Sequence, residues 1–520
     1  MAVAMVLLLF VLVNARGLDH TPPINEDESW IAAPGVEFFT TGRFASPMFA
    51  GYYGSERHYY DFMPLYSLVD GAAIRVFGMS LVTVRSVSLA CATLTLLLTY
   101  LVGRRLFCAW HGLVAVVILG AWPIAATGIR PYLSLTTGIP LTDLARIGRY
   151  DVLVPVFGLA CMLAMLRARD SHARSTEWLV VAGASAALAT LTHYYGIVWL
   201  VVVVALVITF EPRRHRALAW PTLGFLLVMA PWLWFVSQDW AMFLAQKQAQ
   251  AARYGLDFAD RPGELSRYGL IAKAIVQRQV SSLLWTTLVV AGVVRLLWLT
   301  WQRHRGATVL AIVSAVVLTC FAILIRRRLF NYLGTVWPLL ALAASVALLT
   351  PWPGRMRVVG RIAATLMLLG GAAPGVTAYA QIENRAQHDS AYADVCARIT
   401  TMLPPSARVL ALQHWWLGVR PHVADYRSFI VPLTRMNPRE TTPPIRFADA
   451  MALDPLEFIL IDPEMGDVLR AAGDPSRPKA APLAEQIVAF LATRAVEVDA
   501  FDDATYGRFT LYRVIQPRTP

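Results

Sequence analysis

Long apolar runs are what most constrain this chain. A helix of roughly 17–25 apolar residues crosses a bilayer, and about eleven such runs follow one another here. They cover residues 1–13, 80–102, 112–129, 151–167, 178–192, 195–210, 217–236, 280–300, 307–325, 332–350 and 359–380. Inside hydrocarbon the backbone must satisfy its own hydrogen bonds, so such runs fold as helices. Composition agrees: 57% of the 520 residues are hydrophobic and only 15% are charged, against roughly 25% charged in an ordinary soluble protein. The expectation is an α-helical polytopic membrane protein. The run 1–13 is short for a span. It lacks the basic start and small-x-small cleavage site of a signal peptide, and reads as a first helix whose N-terminal part lies outside this reading frame.

The net charge of +12 is scattered in short arginine clusters between apolar runs. That is the pattern of orienting loop charges and not of a nucleic-acid-binding face. Arg104 and Arg105, then Arg167, Arg169 and Arg174, then Arg213, Arg214 and Arg216, then Arg303 and Arg305, then Arg355, Arg357 and Arg361 mark every second loop. By the positive-inside rule these loops face the cytoplasm. Loops 14–79, 130–150 and 237–279 and the tail therefore face outward. One outward loop, "IRRRLFNY", breaks the rule with Arg326, Arg327 and Arg328. Either the adjoining spans are mis-parsed, or the arginines meet anionic headgroups, or they grip an anionic ligand such as phosphate with their planar forks.

Two domains follow: a transmembrane domain over 1–380, with large outward loops 14–79 and 237–279, and a soluble α/β domain over 381–520. In the tail, "SARVLAL" and "EFILID" read as buried strands, "PLAEQIVAFLATRA" as an amphipathic helix, and "AVEVDAF" with "GRFTLYRV" as a closing strand pair. Stretches such as "SWIAAPGVEFFTTGRF" in the first loop read as short helices along the membrane surface. Five cysteines without a C-x-x-C spacing suggest neither a zinc site nor a disulfide framework. The sequence has no phosphate-binding P-loop and no nucleophile-elbow motif.

Three outward segments carry acids in unusual settings. "INEDESW" places Glu26, Asp27 and Glu28 directly after the first apolar run; such a triplet is ordinarily wet, but an ionised acid there also serves as a general base or metal ligand. "ERHYYDFMPLYS" holds Arg57, His58 and Asp61 among interfacial aromatics, where an acid is expensive unless paired or used. "ARIGRYDVLVPVFG" opens the fourth run with Asp151, five residues after Arg146 and two after Arg149. As an isolated feature, Asp151 is an ordinary acid at a helix N-terminus. Less weight falls on His193, Tyr194 and Tyr195, which suit an aromatic belt. Lys247, Arg253, Arg261, Glu264 and Arg267 suit a cover or an amphipathic loop.

The three acidic segments together resemble the GT-C superfamily of integral-membrane glycosyltransferases. The similarity is strongest to the branch with protein O-mannosyltransferases, bacterial lipid A aminoarabinose transferases and related polyprenyl-phosphate-sugar transferases. "NEDESW" resembles the acid pair of the first outward loop. "YYDFMPLYS" resembles the acid-x-x-Pro-Leu-aromatic element, although Phe62-Met63 stand where the family often has Lys-Pro. "ARIGRYDVLVPVFG" resembles the Arg–Asp element opening the fourth span, and "LLTHYYG" a Leu-Thr turn in which His193 replaces a usual lysine.

The resemblance spans residues 1 to about 380 and implies transfer of a sugar from a polyprenyl-phosphate donor to a hydroxyl of an envelope lipid, glycan or protein. It places the protein in the bacterial inner membrane, multi-pass, with a periplasmic C-terminal domain. Asp27 is then the expected general base, with Glu28 as helper or metal ligand, and Asp61 and Asp151 position substrate. Arg326, Arg327 and Arg328, with His58 and Arg146, are the expected donor-phosphate contacts. A divalent cation, Mg²⁺ or Mn²⁺, would draw on Asp27, Glu28 and Asp61. The rival readings are a flippase for lipid-linked sugars, which needs polar residues along a path through the membrane, and a non-catalytic sensor with an outer binding domain.

Overall fold

Each of the eleven apolar runs overlaps a helix among the described residues. In chain order the helices are α1 (Ala2–Asn14), α2 (Glu26–Thr41), α3 (Pro64–Phe77), α4 (Leu81–Leu106), α5 (Ala109–Ala121), α6 (Pro140–Ala145), α7 (Leu153–Asp170), α8 (Ser175–Thr192), α9 (Val198–Phe210), α10 (Arg214–Ser237), α11 (Trp240–Arg253), α12 (Leu283–Trp301), α13 (Arg305–Leu324), α14 (Trp337–Leu349) and α15 (Met356–His388). The computed structural model describes residues 1–123, 137–170, 174–211, 214–253, 283–324, 330–350, 356–437, 443–474, 476–477 and 480–515. Among them, six helices are long and apolar enough to cross a membrane, and four apolar helices are shorter. Leu223, Leu226, Leu227, Leu233 and Trp234 on α10, and Val290, Val293, Val294 and Leu297 on α12, are exposed. Apolar side chains turned outward over this much of a surface are what a bilayer covers.

The segment before α4 departs from the expected surface helices. α2 and α3 pack backbone to backbone, and Glu28 through Gly35 are all buried. Two glycines permit this approach. A Cβ on Gly71 would lie 2.3 Å from the carbonyl carbon of Gly35, and one on Gly35 would lie 1.7 Å from the carbonyl oxygen of Ser67. α2 begins with a capping box: the Asn25 side chain accepts from the Asp27 amide at 3.0 Å, and Glu28 accepts from the Asn25 amide at 2.8 Å. Three acids in the first turn complement the helix dipole.

The tail forms a five-stranded sheet of β1 (Arg408–Ala411), β2 (Asp425–Ser428), β3 (Phe458–Ile461), β4 (Ala495–Asp503) and β5 (Gly507–Val514), in the order β2-β1-β3-β5-β4. β1 is parallel to β2 and β3, whereas β5 is antiparallel to β3 and β4. The helix Ala481–Arg494 places Ile487, Phe490 and Leu491 in a core with Leu410, Ile459 and Phe447. α15 continues through His388, past the boundary expected at 380. The tail domain rests on α2 and the segments that flank it. Tyr392 N–H donates to the Asp19 carbonyl at 2.9 Å, Ser29 Oγ to the His414 carbonyl at 3.4 Å, and the Arg427 guanidinium to the Pro47 carbonyl.

Gly71→Val tests the α2–α3 contact. Overpacking costs about 1–3 kcal/mol at the least, so the variant should melt earlier and elute with less monodisperse protein. Gly370→Val is the control, because a Cβ there meets nothing within 4 Å. Equal behaviour of the two variants would contradict the contact.

Candidate active site

Glu28 accepts four hydrogen bonds in the protein's polar layer. Its side chain is fully buried. Oε1 accepts from Arg85 Nε at 2.8 Å and from the Gly148 amide at 2.8 Å, while Oε2 accepts from Arg85 Nη2 at 2.9 Å and from the Asn25 amide at 2.8 Å. Arg85, on α4, is equally buried and donates as well to the carbonyls of Leu18, Pro22 and Pro23. A buried ion pair is stable only when its remaining donors and acceptors are satisfied, and here they are.

This pairing sets the position of the neighbouring residues. Glu28 holds Gly148, so the residue before Glu28 and the residue after Gly148 come together. These are Asp27 and Arg149, and Arg149 Nη1 pairs with Asp27 Oδ2. Arg149 Nε also donates to Asp151 Oδ2 at 2.9 Å, and Asp151 Oδ1 accepts from the Tyr195 hydroxyl at 3.2 Å. Arg149 therefore bridges two carboxylates. Burial alone would weaken its hold on the proton, but the charge of Asp151 more than reverses that, and the guanidinium stays protonated. Asp151 is sealed, whereas the Asp27 side chain keeps 20% of its surface exposed. Of the two acids, Asp27 is the one open to solvent.

The turn after α8 lies beside this bridge. His193 packs on Tyr150, Tyr195 and Tyr332 with ring centroids 4.7, 4.2 and 5.3 Å away. Burial, then the positive charges of Arg149 and Lys247, push its pKa down to about 3, so the ring is neutral. Its Nδ1 accepts from the Tyr195 amide at 3.3 Å, which leaves the proton on Nε2. Asp61 is fully buried on the far side of this turn, and its carbonyl accepts from Lys247 Nζ at 2.8 Å. Lys247 also lies over the Tyr194 ring, 4.6 Å from the centroid.

The structure thus brings Asp27, Asp61 and Asp151 around one aromatic turn and gives two expected residues other work. Arg146 donates to the carbonyls of Asn14, Arg16, Gly17 and Thr21 at 2.7–2.9 Å. Both terminal nitrogens are committed to that loop, so Arg146 is corrected from a phosphate contact to a staple, and Asp151 pairs with Arg149 in its place. Glu28 is likewise corrected from helper or metal ligand, because both oxygens carry two bonds each. His58 packs on Phe235 at 5.3 Å, and its carbonyl accepts from Gln246. Arg326, Arg327 and Arg328, and residues 254–279 of the loop after α11, lie outside the described residues. No group of three His, Cys, Asp or Glu among the described residues is placed to hold a metal ion. Glu28 is committed to Arg85 and the Gly148 and Asn25 amides, and Asp27 pairs with Arg149, so neither presents a free pair of oxygens to a divalent cation.

Sequence reasoning missed Arg85 and Asp70. Each is a charged residue inside an apolar helix, and that placement was the available signal. Asp70 on α3 is fully buried, and neither of its oxygens has a hydrogen-bond partner among the described residues. Burial, with the nearby charge of Glu28, pushes its pKa well above the usual carboxylate range, so it is neutral in the folded protein.

Residues 63–235 match the family of dolichyl-phosphate-mannose-protein mannosyltransferases. Over its whole length the chain has the fold of the GT-C membrane glycosyltransferases. It is similar to ArnT from Cupriavidus metallidurans in the apo state, with 16% identity, a TM-score of 0.60 and 99% of each chain covered. Similarity to the same ArnT bound to undecaprenyl phosphate is alike, at 17% identity and a TM-score of 0.59 over 99% of this chain and 98% of that one. The oligosaccharyltransferase of Archaeoglobus fulgidus, in complex with Zn and sulfate, shares 14% identity at a TM-score of 0.56, over 97% of this chain and 72% of that one. No curated protein matches the chain by sequence.

Two substitutions test the buried acids. Glu28→Gln leaves the Arg85 charge uncompensated and should cost about 3–5 kcal/mol, read as a loss of thermal stability in detergent; an unchanged melting curve would contradict the pairing. Folding raises the Asp70 pKa, so the chain takes up a proton on folding between the unfolded pKa of about 3.9 and the higher folded pKa, and the wild type loses stability as pH rises across that window. Asp70→Asn should therefore melt above the wild type at pH 7, and the gap should close as pH falls toward 4. A gap that widens on acidification would show that Asp70 is ionised.

Proposed function

We propose that this protein transfers a sugar from a polyprenyl-phosphate-linked donor to a hydroxyl of an envelope lipid, glycan or protein, on the extracytoplasmic face of a bacterial inner membrane. The observation that carries the reading is Asp27: a partly exposed carboxylate, fixed by Arg149 to the sealed Asp151 at the end of a GT-C helix bundle. The mannosyltransferase family match and the likeness to an ArnT that binds undecaprenyl phosphate support the donor class.

The acceptor oxygen attacks the anomeric carbon and gives its proton to Asp27. The bond from that carbon to the phosphate oxygen breaks, and its electron pair leaves on the lipid phosphate. Asp27 pairs with the Arg149 guanidinium through one carboxylate oxygen and keeps part of its side chain exposed, the geometry of a group that can accept a proton. Arg149 holds the carboxylate in one orientation as the proton arrives. Asp151 keeps Arg149 in place, and Asp61 positions substrate on the other side of the His193–Tyr195 turn. The charge that grows on the leaving phosphate calls for cations, the role assigned to Arg326, Arg327 and Arg328. The acids gather at one end of the bundle and not along a path through it, which favours a transferase over a flippase.

In detergent, with a polyprenyl-phosphate sugar and an envelope extract as acceptor, Asp27→Asn should lower transfer by about 10²–10⁴-fold while keeping the wild-type melting point. Wild-type turnover by purified Asp27→Asn would end the assignment of Asp27 as base.

A further inference from the structure

Only three of the chain's 46 basic residues are lysines, Lys247, Lys273 and Lys479. Arginine serves nearly everywhere a positive charge is needed, so a lysine placed in the polar layer calls for a role that suits an ammonium. We propose that Lys247 is the residue of α11 that binds the phosphate of the lipid donor, an inference that rests on the transferase reading above.

Three observations carry it. The first is placement. Lys247 Nζ lies 2.8 Å from the Asp61 carbonyl oxygen, 3.3 Å from Gln250 Oε1 and 4.6 Å from the centroid of Tyr194. It is half-buried, and Tyr194 keeps 37% of its surface exposed, so the ammonium stands at an accessible edge of the site. The second is anchoring. The adjacent Gln246 is fully buried and clamps α11 to the loop that carries Asp61: its Oε1 accepts from the Tyr60 amide at 2.7 Å, and its Nε2 donates to the carbonyls of His58 at 2.8 Å and Tyr53 at 3.2 Å. The position of Lys247 is set by this clamp and not by a free loop.

The third observation is the face on which Lys247 lies. Trp240, Phe243, Leu244 and Lys247 share one face of α11 at the helical spacing i, i+3, i+4 and i+7. Trp240 and Phe243 stack at 5.1 Å, and Trp240 and Leu244 are 57% and 40% exposed. An exposed apolar stripe thus runs up to an ammonium at the edge of the acid cluster. That arrangement matches an amphiphile, with the isoprenoid along the stripe and the phosphate at Lys247. During transfer the phosphate passes from a diester with one negative charge to a monoester with about 1.5–2. A compact ammonium on a flexible stem can follow that change, whereas the planar fork of arginine requires a fixed geometry.

The test uses the full-length protein in detergent and three probes: undecaprenyl phosphate, undecaprenol and inorganic phosphate. Lys247→Gln should weaken undecaprenyl phosphate binding by about 10- to 100-fold and leave undecaprenol binding unchanged, and Lys247→Arg should recover part of the loss. Equal affinity of Lys247→Gln and wild type for undecaprenyl phosphate would overturn the proposal. So would a matching loss toward undecaprenol, which would mark the residue as structural, or inorganic phosphate binding as tightly as the lipid, which would assign the site to the free ion. A wild-type protein that binds no undecaprenyl phosphate would overturn the transferase reading itself, a separate result.

Discussion

The polar layer of this protein depends on one buried ion pair. Glu28 and Arg85 have no contact with solvent, and two charges in that setting are costly unless every lone pair and proton is used. The Glu28 oxygens use theirs on two chain segments besides Arg85: the start of α2, through the Asn25 amide, and the loop before α7, through the Gly148 amide. Chain continuity does the rest. Asp27 and Arg149 are the immediate neighbours of these two anchor points, so they are set opposite each other. The Asp27–Arg149 pair is held in place because the pair beside it is fixed on both sides.

The same layer shows how a membrane bundle accommodates so many charges. Glu28, Asp61, Asp70, Arg85, Asp143, Arg146, Arg149 and Asp151 are all buried; all but Asp70, which lies midway along the short helix α3, stand near helix ends or in the loops between them. Main-chain carbonyls of the segment after α1 absorb both Arg85 and Arg146. The sheet domain covers this end of the bundle: Gln413 Nε2 reaches Glu26 Oε2 at 3.4 Å, and the His414 carbonyl reaches Ser29. Most charged groups removed from water are thereby supplied with protein partners; Asp70, whose two oxygens have none among the described residues, is held without one.

Much of the fold was legible because hydrophobic runs carry their own length and period. The apolar helices, the strands β1 and β3, the closing pair β4–β5 and the helix Ala481–Arg494 stood where their patterns placed them. β2 did not, because "DYRS" is short, polar and defined only by its pairing with β1. The acids Asp27, Asp61 and Asp151 were legible as charges out of place. Their partners were not. Arg146 is closer to the expected helical spacing from Asp151, but the chain turns between them, and the guanidinium two residues away makes the contact. Lys247 and Arg85 come from elements far along the chain, and local pattern holds no record of such pairings. The prominence of Glu26, Asp27 and Glu28 as a triplet also concealed three separate settings: Glu26 contacts the sheet domain, Asp27 pairs with Arg149 and stays partly exposed, and Glu28 is buried against Arg85.

The central claim is that the acceptor hydroxyl is activated at Asp27. A cryo-electron microscopy structure of the full-length protein with undecaprenyl phosphate and an unreactive acceptor analogue tests it directly. The account predicts the acceptor oxygen within about 3 Å of an Asp27 carboxylate oxygen, with Arg149 still bridging Asp27 and Asp151. An acceptor oxygen bound instead at Asp61, with Asp27 left facing solvent, would contradict it.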